Sequence, residues 1–109
     1  MAYDEGLAER VRVLLEERTD VVEKKMFGGL SFMLRGNMSC GVLKEDLLVR
    51  VGPDGYSEAL AQPHARPMEF TGRSMKGMVF VGPDGVESDE DLSDWVGRGV
   101  EFALSLPAK

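Results

Sequence analysis

Leu7, Val11, Leu14 and Leu15 recur at helical spacing, while Glu9, Arg10, Arg12, Glu16 and Glu17 fill the rest of the wheel. The pattern predicts an amphipathic helix from about Tyr3 to Glu17, broken at Thr19 and Asp20. From Glu23 to Val51 the period changes. Leu30, Phe32 and Leu34 alternate with Ser31, Met33 and Arg35, and Leu47, Val49 and Val51 alternate with Leu48 and Arg50. Gly28-Gly29, Gly36-Asn37 and Lys44-Glu45-Asp46 punctuate these runs, which therefore read as strands with one buried face, antiparallel because such short connections cannot make a parallel crossover.

Pro53 suits the first turn of a second, short helix bearing Tyr56, Ala59 and Leu60, which Gln62-Pro63 stops. Met68 to Phe70 and Met78 to Val81 read as two more strands joined through Thr71-Gly72-Arg73-Ser74. Ser88 can cap a last helix whose first turn holds Asp89, Glu90 and Asp91, favourable at the positive end of its dipole. Its buried stripe is Leu92, Trp95, Val96, Gly99 and Ala103, extended by Leu104 and Leu106. The predicted order is α-β-β-β-α-β-β-α: an α+β, two-layer fold with helices on one face of an antiparallel sheet. Val-Gly-Pro-Asp-Gly occurs at 51–55 and again at 81–85, each after an apolar strand, without the wider similarity a duplicated module would show.

A chain of 109 residues holds one core, so residues 1–109 read as a single domain. One cysteine, Cys40, cannot close an internal disulfide, and no leader or membrane-length apolar run is evident, which together predict a cytoplasmic protein. The net charge of −6 disfavours direct nucleic-acid binding. Its distribution is uneven. Residues 1–23 carry three basic and seven acidic groups (−4), residues 24–81 eight and five (+3), and residues 82–109 two and seven (−5). A central anion or acidic-partner site fits that distribution, as does a sheet edged with lysines for solubility.

Cys40 and His64 are too few for a structural zinc site, and the carboxylates around Asp89 lack the spacing of a calcium loop, so no metal or cofactor is expected. The same two residues could form a thiolate-base pair, although a cysteine in an apolar strand is more often a small buried side chain. Two stretches gather cations: Lys24-Lys25 before Met26-Phe27-Gly28-Gly29, and His64, Arg66, Arg73 and Lys76 among prolines and glycines. Guanidinium groups on a loop of fixed shape would receive a carboxylate or another anion.

Lys-Lys-Met-Phe-Gly-Gly-Leu-Ser-Phe-Met (24–33), Gly-Asn-Met-Ser-Cys-Gly-Val (36–42) and Ala-Arg-Pro-Met-Glu-Phe-Thr-Gly-Arg-Ser-Met-Lys-Gly (65–77), in that order, resemble the N-terminal domain of the TfoX/Sxy family over about Tyr3 to Leu106. The resemblance implies a two-layer, secretion-chaperone-like fold. It also implies a bacterial regulator of transcription, since family members control natural competence genes together with a cyclic-AMP-responsive activator. Competence regulators of this type carry a second, C-terminal domain, and a single-domain member is expected here. The family has no established catalytic residues. The leading expectation is a non-catalytic domain that binds a protein partner, the transcription machinery among the candidates, through a basic surface of Lys24, Lys25, Arg50, His64, Arg66, Arg73 and Lys76. The alternatives are an enzyme using Cys40 and His64, or a direct nucleic-acid or anion binder; homodimerisation through a sheet edge or helix face is also open.

Overall fold

The computed structural model describes residues 3–26, 28–70 and 73–108, with the side chains of 69, 70 and 73–76 left out. The first helix, α1 (Glu5–Leu14), is shorter than its apolar period. Asp4 caps it by accepting a hydrogen bond from the Leu7 amide at 3.0 Å, and Tyr3 instead bridges to Lys44. Leu7, Ala8, Val11 and Leu15 are buried, but Leu14, expected among them, is 40% exposed at the rim of a stripe centred on Val11.

Six strands follow: β1 (Val21–Met26), β2 (Gly29–Leu34), β3 (Asn37–Leu43), β4 (Asp46–Arg50), β5 (Ala65–Phe70) and β6 (Arg73–Val81). Four of them, not the expected three, precede the second helix. The turns at Gly28-Gly29, Gly36-Asn37 and Lys44-Glu45-Asp46 delimit four runs, of which β1, Val-Val-Glu-Lys-Lys-Met, has no alternation because it is an edge strand open on both faces. The sheet order is β1-β2-β3-β4-β6-β5, antiparallel throughout. After the second helix, β5 goes to the far edge and β6 returns to pair with β4. The register joins Phe70 to Arg73, so both strands run longer than expected, and residues 71 and 72 of the anticipated connection lie outside the described residues.

The helices α1, α2 (Gly52–Leu60) and α3 (Asp89–Leu104) share one core with one face of the sheet. Leu7, Val11, Ala59, Leu92, Trp95 and Val96 meet Phe32, Cys40, Val42, Leu47, Val49 and Val79 there. Each Val, Leu or Phe side chain among them contributes about 1.5–3 kcal/mol relative to exposure. Ser88 caps α3 as expected, accepting from the Asp91 amide at 3.1 Å. The predicted stripe of Leu92, Trp95, Val96, Gly99 and Ala103 is buried, whereas Leu104 is exposed and Leu106 half-buried at the fraying end. The fold is therefore α+β and two-layered, with all three helices on one side.

The single buried face expected for the central strands needs correction. Ser31 and Leu48, read as the outward set, are 3% and 4% exposed. A second cluster of Met38, Leu48 and Met68, with Met33, Met78 and Phe80 against it, lies on the face the helices leave free. Register shifts at Phe32/Met33 and at Pro67/Glu69 bend and twist the strands beneath it.

The repeated pentapeptide adopts two structures. At 51–55 it opens α2, with Gly52 at φ 81° and its Cα face against the Phe102 ring. At 81–85 it forms a 3-10 turn, Pro83–Gly85, preceded by Gly82 at φ −70°.

Candidate functional site

Residues paired across antiparallel strands point to the same face. The pairs Val22–Met33, Met33–Met38, Leu48–Phe80 and Arg66–Phe80 therefore trace one surface from edge to edge, opposite the helices. Its centre, Met38, Leu48 and Met68, is less than 10% exposed, while Met33, Met78 and Phe80 are half-buried and Val22 is 64% exposed. Unbranched thioethers reshape at low cost, so such a surface adapts to apolar side chains of varied form. At one margin, Arg66 stacks over Phe80 at 5.2 Å from the ring centre and donates a hydrogen bond to Asp46.

The seven expected cations do not form a single patch. Lys24 and Lys25 are on β1, while His64 and Arg66 are at β5, on opposite edges of the sheet. Five strand spacings of about 4.8 Å separate those edges by roughly 24 Å. Lys24 and Lys25 also point to opposite faces, being successive residues of a strand. The Arg50 guanidinium lies 5.2 Å from the Phe102 ring centre on α3. His64, at φ 68°, lines a cavity of about 150 Å³ whose other charged lining residues are Asp91 and Asp94. The side chains of Arg73 and Lys76 lie outside the described residues. Lys24 and Arg66 do share the methionine-bearing face, at its two margins.

Between α2 and α3 lies an open groove of about 540 Å³, lined by Asp54, Glu58, Asp94, Glu101, Arg98 and Phe102. Arg98 is held by Glu58 at 3.2 Å and Asp94 at 3.5 Å and stacks on Trp95. The groove's charge is the opposite of what an anion receptor requires.

Cys40 and His64 are not brought together. Cys40 is on β3, separated from β5 by β4 and β6, and is fully buried. Burial pushes its thiol up to about 12. A nucleophilic thiol needs the reverse environment. Among the described residues no three His, Cys, Asp or Glu side chains are grouped to hold a metal ion, and no helix is long and apolar enough to cross a membrane.

The chain matches the family model for the TfoX N-terminal domain over residues 13–103. Searches of curated proteins and of solved structures found no match. The three segments that carry the resemblance lie within the matched span and build β1 to β3 and the β5–β6 pair, the framework of the sheet. The chain belongs to the TfoX N-terminal domain family.

Proposed function

We propose that this chain is a non-catalytic regulatory domain that holds a protein partner on the helix-free face of its sheet. The observation that carries this reading is the placement of all three helices on one side, which leaves Val22, Met33, Met78 and Phe80 accessible on the other. An apolar centre with Lys24 and Arg66 at its margins suits an amphipathic partner segment with acidic flanks. This replaces a compact basic pocket with a basic rim. Membership of a family named for competence regulators makes the transcription machinery the class of partner to examine first, and the free, buried Cys40 suits a reducing cytoplasm. The inaccessible thiol also supports a binding role over thiol catalysis.

Photo-methionine incorporated in the native host tests the reading. Cross-links to a partner should arise from Met33 and Met78 and disappear in a Val22→Asp, Phe80→Asp variant that keeps both methionines and its helical circular dichroism. Partner cross-links that survive those substitutions overturn it.

A further inference from the structure

The free edge of β1 is a second surface, independent of the sheet face. Asp20 accepts a hydrogen bond from the Arg35 amide at 3.2 Å, so the 20–35 pair is a hydrogen-bonded one. Such pairs recur every second residue in an antiparallel ladder, so Val22, Lys24 and Met26 turn their backbone groups toward β2. The N–H and C=O groups of Val21, Glu23 and Lys25 consequently face outward, where no described strand pairs with them. The opposite edge is defended. Pro67 has no N–H to offer, and β5 is irregular beside it. β1 has neither proline nor bulge, and all six of its residues are exposed or half-exposed.

We infer that this edge pairs with β1 of a second copy of the chain, antiparallel about a two-fold axis at Lys24. Only residues with outward backbone groups can exchange hydrogen bonds, so odd-numbered positions must meet odd-numbered ones. An axis at Glu23 sets Glu23 against itself, and an axis at Lys25 sets Lys25 against itself. With the axis at Lys24, Glu23 faces Lys25 of the second copy twice, and Val22 faces Met26 twice. The single unfavourable pair is Lys24 against its own copy. Glu23 already accepts from Arg12 at 2.6 and 2.7 Å, and a carboxylate has further lone-pair sites for the incoming ammonium. Arg12, Glu23 and Lys25 would thus form one network on the helix side, while the two methionine-bearing faces become continuous on the other.

Sedimentation equilibrium of the native chain should give twice the 12.0 kDa protomer mass. Lys24→Cys should form a disulfide-linked dimer under mild oxidation, because it faces itself in a close, non-hydrogen-bonded pair. Val22→Cys and Met26→Cys should cross-link when mixed and not alone. Buried Cys40 does not compete. Lys25→Glu should weaken the dimer on the order of tenfold, and Lys24→Thr should strengthen it. A protomer mass at micromolar concentration overturns the inference, as does a dimer in which Lys24→Cys fails to cross-link.

Discussion

Gly99 of α3 rests on the backbone carbonyl of Ser39 in β3, with no room between them for a Cβ. Two residues earlier and about 200° around the helix, on the side away from the sheet, Gly97 is exposed with nothing within 4 Å of its Cβ position. The two glycines should therefore respond oppositely to alanine. Gly97→Ala gains helix propensity and should stabilise the domain by about 0.5–1 kcal/mol. Gly99→Ala gains the same propensity but pushes α3 off the sheet, with a net loss of about 1–3 kcal/mol. Urea midpoints of the two variants settle the matter.

Cys40 should be almost inert in the native state. A thiol pushed up to about 12 leaves about one molecule in ten thousand as thiolate at pH 8, before steric exclusion is counted. Alkylation followed by mass spectrometry should be slow in buffer and rapid in denaturant. Fast native labelling would return the thiol enzyme to consideration.

Acid should weaken the junction between α1 and β1. Arg12 hydrogen-bonds Glu23 and holds it below its ordinary 4.5, and Arg18, with Arg35, holds Asp20 below its ordinary 3.8. A depressed folded-state value means that the stabilisation is complete above the ordinary value and is lost as the pH falls through the folded one. Glu23→Gln should cost less than about 1 kcal/mol at neutral pH, since the pair is partly solvated. As the pH falls through the depressed folded-state value of Glu23, the variant and the native chain should converge, as urea titrations at several pH values would show.

Ser88→Ala removes the acceptor for the Asp91 amide at the start of α3. A loss of about 1 kcal/mol is expected, and Ser88→Asp should restore most of it because the side-chain acceptor returns with a charge favourable to the dipole. Thermal denaturation of the three proteins orders them.

Some of this architecture could be read along the chain and some could not. The buried side of α3 was legible because Leu92, Trp95, Val96, Gly99 and Ala103 keep a helical period over a long segment. The strand count before α2 was not, since β1, open on both faces, has no buried side to impose alternation. Met33 and Leu48 looked like an outward set by period alone. Their burial or half-burial depends on Met38, Met68, Met78 and Phe80, contributed by strands distant in sequence. The cations misled for a related reason. Lys24 and Arg66 belong to equally basic stretches, but β5 passes beyond β6 to the far edge, and sheet order of that kind leaves no periodic trace.

The twin pentapeptides are under unequal constraint at their second letter. Gly52 sits in left-handed backbone against an aromatic ring, whereas Gly82 occupies a conformation open to ordinary residues, with its nearest neighbours at ordinary contact distance. Drift can rewrite the later copy there while selection polices the earlier one. Descendants of this chain should lose the echo from its C-terminal half first.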